Sequence, residues 1–450
     1  MMQWSLQQIA ATVAGRLQGA DAAVSGVSTD SRSLAPGNLF VALSGARSDG
    51  HDYLESCAGR AAGAIVSRPQ PLALGQIIVP DTLHALQQLA RAWRRQWPGQ
   101  VVGLTGSNGK TTVKEMLRAI LAEIGPTLAT AGNLNNHIGV PLTLLRLAAH
   151  HRFAVIEMGA NHCGEIAQLA ALAEPDIGLV TNAGHAHLEG FGGLDGVARG
   201  KGELYTALPA AGVAIINADD VYADYWTGLA GSRRIIRCGL TRPAAITASV
   251  AADGRLHIRG LARADCPVSL PLPGEHNRRN ALAAAAAAQA LGAPCQAIAA
   301  GLSQVQPVAG RLRELPGLAG STLIDDSYNA NPTSLRAAAQ TLAARSGRGW
   351  LVLGDMAELG AQAGALHRDC GQAIKAAGIE RLWTLGPLAA AAAAGFGAGA
   401  QAYQDPAALI AALQAELAPN LTLLIKGSRS MHMETIVQAL AQPEGTSHAA

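Results

Sequence analysis

Residues 101–112 read VVGLTGSNGKTT, an apolar run, a turn bounded by Gly106 and Gly109, then Lys-Thr-Thr opening a helical stretch. That order suits a nucleoside triphosphate. The glycines let the backbone of Thr105, Gly106, Ser107, Asn108 and Gly109 curl its N–H groups around phosphate oxygens, and the helix start adds a positive dipole end. Lys110 then reaches the β- and γ-phosphates, with Thr111 a hydroxyl ligand for Mg²⁺ and Thr112 beside it. The general pattern G-x-x-x-x-G-K-[ST] is not fully met, because its first glycine falls on Leu104.

More chemistry-bearing residues follow apolar runs. In FAVIEMGA, residues 153–160, Glu157 stands at the end of a strand-like run, where open α/β sheets bind ligands. Its carboxylate suits Mg²⁺, a hard cation that shares oxygen ligands with phosphates. A salt bridge is the alternative, which the neighbouring phosphate turn disfavours. In TNAGHAHLEGFG, residues 181–192, His187 is a further candidate ligand, while His185 has no assigned role. TLIDDSYNANPTSLR, residues 322–336, ends a run in Asp325 and Asp326. Successive residues of an extended chain point to opposite faces, so these carboxylates do not form an acid/base dyad.

These positions need a frame. Runs at 39–43, 64–66 and 77–79 alternate with polar turns and read as a small α/β unit ending near Asp81. Runs at 101–104, 153–156, 177–180 and 213–216, separated by helical stretches, carry the βαβ signature of a doubly wound parallel sheet. The Ala-rich stretch 280–291 reads as a packed helix, preceded by the polar segment GEHNRRNA. Runs at 322–324, 350–353, 382–385 and 421–425 predict a second open α/β sheet after Arg311, and residues after Gln442 read as a frayed tail. The expected division is 1–82, 83–310 and 311–450.

Composition narrows the class. With 49% hydrophobic and 15% charged residues and a net charge of +2, the chain has no field for holding nucleic acid or an anionic membrane. Arg91, Arg94 and Arg95, interleaved with Trp93 and Trp97, read as a helix end with a solvated basic side. No signal peptide opens the chain and no run has the bulk of a spanning helix, so a cytoplasmic protein without membrane insertion is expected. The six cysteines lack C-x-x-C pairing and are expected to be separate reduced thiols.

The T-G-x-x-G-K-T form with a non-Gly first place resembles the Mur ligase and folylpolyglutamate synthase superfamily, over residues 28–432. The implied architecture is α/β with three domains: an N-terminal unit for a UDP-linked substrate, a central P-loop ATPase sheet, and a C-terminal Rossmann-like sheet. ATP and a pair of Mg²⁺ ions are implied, held by Thr111, Glu157, His187 and, as its carbamate, Lys201. Lys201, in RGKGEL, matches the family's carbamylated lysine, its alternative being an unmodified solvated cation. Lys110, Lys201, His187 and Glu157 are the implied catalytic group. Asn277 and Asn280 match a segment near the adenine, with helix capping as rival. Arg311 and Asp326 match further nucleotide contacts.

Substrate residues follow by the same resemblance. Ser28, Thr29, Asp30, Ser31 and Arg32 match a UDP-sugar-peptide contact, against the alternative of a plain turn. Asn133, Asn135 and Asn136, in TAGNLNNHIG, offer amides to a muramoyl-peptide, and D-D-S-Y-N-A-N-P, with Asn329, resembles the branch that adds D-alanyl-D-alanine. Lys426 and Arg429, in KGSRSMHME, suit the dipeptide carboxylate or an ATP phosphate. The sister D-N-P-R motif is absent. The implied partners are UDP-N-acetylmuramoyl-tripeptide and D-alanyl-D-alanine, joined by a monomeric ligase in peptidoglycan precursor synthesis. Another Mur ligase or a folylpolyglutamate-type ligase is the alternative, and a nucleotide-driven switch or transport subunit is the rival outside the ligases.

Overall fold

The computed structural model describes residues 4–45, 48–261 and 265–443, so the expected tail lies almost wholly outside the described residues. Every apolar run named above forms a strand, because each is bounded by turn residues and buried on both faces. Val102, Ile156, Leu179 and Ile216, for example, are at most 1% exposed. The first unit is a five-stranded sheet ordered Arg16–Gln18, Gln76–Ile78, Gly63–Val66, Asn38–Val41 and Gly26–Ser28, with only the Arg16–Gln18 edge antiparallel.

The central sheet is wholly parallel, ordered Arg234–Cys238, Val213–Asn217, Ile177–Val180, Gln100–Thr105, Phe153–Glu157 and Thr127–Ala129. The register matters here. Thr105 lies opposite Val180, and Leu104 opposite Glu157, so the turns that follow all three strands leave the sheet at one edge. The helix Lys110–Ala122 packs on Glu275–Ala290 and Cys295–Ser303. Small residues permit this closeness: Ala281 to Ala288 are buried, and a Cβ on Gly301 would sit 2.4 Å from the Ile120 Cα.

The third sheet runs Arg313–Pro316, Thr322–Asp326, Leu421–Lys426, Arg348–Gly354, Arg381–Leu385 and Ala400–Tyr403, antiparallel only at its first edge. Asp326 is in register with Lys426 at the carboxyl ends of neighbouring strands. Among the described residues no helix is long and apolar enough to cross a membrane.

Several expectations need correction. A three-stranded antiparallel sheet, Thr247–Val250, Leu256–Arg259 and Cys266–Val268, was not anticipated. Its strands are short, and the usable signal was the Asp253-Gly254 turn, where Gly254 adopts φ +82°. Arg94 is not solvated: it is buried and donates to the carbonyls of Ala173, Trp97 and Glu174, while Arg91 and Arg95 pair with Glu174. The Ala-rich helix starts at Glu275, so Asn277 and Asn280 lie inside it and do not cap it.

Cysteine pairing is the remaining correction. Cys266 and Cys295 form a disulfide with Cα atoms 5.8 Å apart, across 29 residues of sequence, and only Cys57, Cys163, Cys238 and Cys370 are free. The strand Cys266–Val268 packs on the helix Cys295–Ser303, which sequence spacing could not reveal. A bond closing a loop of that length contributes about 3–4 kcal/mol in the chain-entropy account. Dithiothreitol is therefore expected to lower the thermal unfolding midpoint of the wild type and to leave Cys295→Ser unmoved. A wild-type midpoint insensitive to the reductant would show that the sulfurs are not bonded.

Candidate active site

The turn between Gln100–Thr105 and Lys110–Ala122 is held by backbone conformations that demand glycine. Gly106 has φ +144° and Gly109 φ +81°. A Cβ would meet the Thr181 hydroxyl at 1.9 Å in the first case and the Asn280 amide oxygen at 2.6 Å in the second. The turn is stitched to the segment after Ile177–Val180. Ser107 N–H donates to the Asn182 carbonyl at 3.0 Å, Asn108 N–H to Asn182 Oδ1 at 3.0 Å, and the Thr181 hydroxyl to the Asn108 carbonyl at 2.6 Å.

Lys110 Nζ donates to the carbonyls of Gly106 at 2.7 Å and Ser107 at 3.3 Å, which keeps the ammonium over the turn. Burial lowers its pKa to about 8; the Arg311 charge pushes the same way and Glu157 opposes it. Arg311 lies 4.3 Å over the Tyr328 ring, a cation–π contact that fixes the guanidinium. Tyr328 was quoted in the sequence motif without a role.

Glu157 is 2% exposed; Asn135 Nδ2 donates to its Oε1 at 2.8 Å, and its Oε2 is buried without a partner. An orphaned carboxylate oxygen is costly unless something binds it. A hard divalent cation between this oxygen and a nucleotide's phosphates fits that requirement. Among the described residues no three His, Cys, Asp or Glu side chains gather as a cage, so phosphate oxygens would have to complete the coordination. His187, at φ +56°, turns Nδ1 toward the Glu358 carboxylate of the third unit.

Lys201 is 1% exposed, which removes the solvated alternative. Its Nζ donates to the Ala160 carbonyl at 3.0 Å and sits 5.0 Å from the Phe191 ring centre. Burial first, and then the Lys110 charge, hold its amine well below the usual lysine range. The neutral amine is the form that can react with carbon dioxide.

Asp325 and Asp326 diverge as expected. Asp325 accepts from the N–H groups of Gly310 and Ser327 and from the Ser327 hydroxyl, tying Gly310 to the strand end. Asp326 instead takes Lys426 Nζ at 2.6 Å, and the same ammonium donates to the Asn329 carbonyl at 2.9 Å. Burial pushes the Asp326 carboxyl up, while Lys426 opposes the shift.

A cleft of about 720 Å³ lies between the central and third sheets. Its walls include Ser107, Asn108, Gly109, Lys110, Thr112, Asn133, Asn135, Asn136, Glu157, His187, Asn277, Asn280, Arg311, Asp326, Asn329 and Lys426. Thr105, Gly106, Thr111 and Lys201 stand behind the wall. Arg429 is turned away and pairs with Glu434 at 3.0 Å. Ser28, Thr29, Asp30, Ser31 and Arg32 lie in the first unit, outside the walls. There the Ser28 hydroxyl bonds the Asp30 backbone, and Arg32 bonds the Asp30 carboxylate through two nitrogens, holding it at about 2.

Some wall residues were missed. Asp219 accepts from the backbone of Leu240, Thr241 and Arg242 and from Arg279, shaping the nucleotide side of the cleft. His276, which burial lowers to about 4, also faces it. The run NADD after the strand Val213–Asn217 was the available signal for the first.

The Lys110 shift gives a signed pH dependence. Below about pH 8 the ammonium is already present for a phosphate, and above it nucleotide binding must take up a proton. Calorimetric affinity for a non-hydrolysable ATP analogue is expected to fall above pH 8, approaching tenfold per unit. Lys110→Arg, whose guanidinium stays charged, should flatten that slope. Equal slopes would remove Lys110 as the titrating group.

Three family models match: "Mur ligase family, catalytic domain" over residues 23–94, "Mur ligase middle domain" over 104–288, and "Mur ligase, glutamate ligase domain" over 310–429. A UDP-N-acetylmuramoyl-tripeptide--D-alanyl-D-alanine ligase of Escherichia coli (strain K12) is 47% identical, covering 99% of this chain and 100% of the relative. A crystal structure of MurF from Acinetobacter baumannii superposes with TM-score 0.90 at 38% identity, covering 97% of this chain and 98% of the other. Another from that organism, titled as a UDP-N-acetylmuramoylalanyl-D-glutamyl-2,6-diaminopimelate--D-alanyl-D-alanyl ligase, gives 0.85 at 37% identity over the same shares. With all three units matched in order and a full-length relative at this identity, the chain belongs to the Mur ligase family.

Proposed function

We propose that this chain is an ATP-dependent ligase that joins D-alanyl-D-alanine to UDP-N-acetylmuramoyl-tripeptide through an acyl phosphate. The observation that carries the reading is one cleft in which the Lys110 turn and Glu157 face Asp326 and Lys426 of a second α/β sheet. A switch or transport subunit needs the turn but has no use for a second sheet closing over it. The near-identical length and 47% identity of the Escherichia coli ligase support the substrate pair.

The reaction starts when the tripeptide carboxylate attacks the γ-phosphorus of ATP. A P–O bond forms, the bond to the β-phosphate oxygen breaks, and ADP leaves. Lys110 and Arg311 offset the charge spreading over the transferring group, a largely positional catalysis. Mg²⁺ held by Glu157 and Thr111, with a second ion at His187, would neutralise phosphate charge and orient the oxygens. The dipeptide amine then attacks the acyl carbon, and the tetrahedral adduct collapses to the amide with loss of phosphate and a proton. Burial of the cleft between two sheets keeps water from the acyl phosphate.

Lys201 is assigned as a carbamate. Burial and the Lys110 charge disfavour the Lys201 cation, and the neutral Lys201 amine can add carbon dioxide to become an anion near Ala160, three residues beyond Glu157. Asn277 and Asn280 are assigned to the nucleotide, Asn133 to the muramoyl-peptide and Ser28 to Arg32 to its diphosphate. The division 1–82, 83–310 and 311–450 is proposed with these roles. We further assign the enzyme to the cytoplasm as a monomer.

Two experiments test this. Phosphate release is expected only when ATP, a UDP-N-acetylmuramoyl-tripeptide and D-alanyl-D-alanine are all present, with the amide product seen by mass spectrometry. The diaminopimelate form should outperform the lysine form, in keeping with the name of the Acinetobacter baumannii ligase. ATP hydrolysis without the dipeptide and no amide would refute the ligase. For the carbamate, Lys201→Arg keeps a cation but cannot be carbamylated. Its kcat is expected to fall roughly 100-fold or more, and a folded, fully active variant would end that assignment.

A further inference from the structure

Contacts across the cleft join the third unit to the phosphate turn and to the turn that carries His187. Asn331, capping the helix Pro332–Ala343, donates from Nδ2 to Asn108 Oδ1 at 2.7 Å. The His185 N–H donates to the Thr333 hydroxyl at 3.3 Å. Leu188 packs against the third unit's apolar cluster, which includes Met356 and Leu359. Glu358 is at the centre: its carbonyl accepts from Glu189 N–H at 3.4 Å, and its carboxylate lies in ion-pair contact with His187 Nδ1, a buried nitrogen with no other partner among the described residues.

As a surface ion pair the last contact is worth little. The His187 side chain is 24% exposed and that of Glu358 55%, a setting where such pairs contribute about 0–1 kcal/mol. Yet both residues hold left-handed backbones without being glycine, at φ +56° and φ +60°. That conformation carries a local cost, and the surrounding contacts must hold it in place. The geometry has a more specific use. An imidazole that binds a metal through one nitrogen commonly gives its other N–H to a carboxylate, which fixes the tautomer and the ring plane. With Nδ1 turned to Glu358, Nε2 is the nitrogen left for a cation.

We infer that Glu358 is a positioning residue for His187, so that the third unit supplies the carboxylate that orients a metal ligand of the central one. The inference rests on the His187 role proposed above. It makes metal binding at His187 depend on the same face of the third unit that carries Asn329 and Lys426. A cation site on the ATP side is thus completed from the side on which the second substrate is proposed to enter.

The test uses the full chain with a non-hydrolysable ATP analogue and Mn²⁺, read by electron paramagnetic resonance and by titration of free Mn²⁺. Glu358→Ala is expected to weaken the second Mn²⁺ by roughly tenfold or more. Glu358→Gln, which keeps an acceptor without the charge, should fall between Ala and wild type. With Glu358→Ala, kcat should fall while the KM for the UDP-tripeptide stays near wild type. Thr333→Ala, which loosens the same seam without touching His187, should leave Mn²⁺ affinity unchanged. Three outcomes separate the ideas. Wild-type Mn²⁺ binding in His187→Ala would remove the metal role itself. Weakened binding in His187→Ala with wild-type binding in Glu358→Ala would overturn the positioning role alone. Equal weakening by Thr333→Ala and Glu358→Ala would also overturn it, by showing a general effect of the seam.

Discussion

The seat of the phosphate turn against the neighbouring strand end is the contact on which the site depends. Gly106 approaches Thr181 so closely that no side chain fits between them, and the Thr181 hydroxyl and Asn182 amide then take the polar groups of Ser107 and Asn108. This arrangement fixes where Lys110 starts its helix. It also brings the segment carrying His187 to one flank of the turn, with Glu157 on the other flank through the strand register. Moving any one of these three would displace the other two.

Electrostatics in the cleft follow from crowding cations with few buried anions. Lys110, Lys201, Arg311 and Lys426 all approach it, and burial makes both Lys110 and Lys201 reluctant to stay charged. Lys426 is settled by Asp326, and Arg311 by the face of Tyr328. Among the described residues no carboxylate is in hydrogen-bond contact with Lys110 or Lys201. Under the proposed function a triphosphate would answer the first, and conversion to a carbamate the second.

The third unit closes the cleft with polar contacts, not with a broad apolar face. Asn331 to Asn108, Thr333 to His185 and Glu358 to His187 are hydrogen bonds or ion contacts between one or two polar groups on each side. Contacts of this kind are directional and individually weak, so they can be made and broken as substrates enter and leave.

Much of this was legible in the chain because it is local. Strands buried on both faces appear as continuous apolar runs, glycine turns appear as spaced glycines, and the divergence of Asp325 and Asp326 follows from the alternation of an extended backbone. The phosphate turn, Glu157 and the D-D-S-Y-N-A-N-P segment could be placed at strand ends for that reason. What the chain could not disclose depends on which elements become neighbours. Arg94 looked like a solvated cation until the carbonyls of Ala173 and Glu174 closed over it, and Cys266 met Cys295 only when a short antiparallel sheet packed on a helix. Lys426 carries a free charge in sequence and a paired one in the fold, because Asp326 is its register partner across two strands that lie about a hundred residues apart. Residue type and local spacing set the chemistry available at each position; burial and strand order decided which charges are met, which are left open, and which face one another across the cleft.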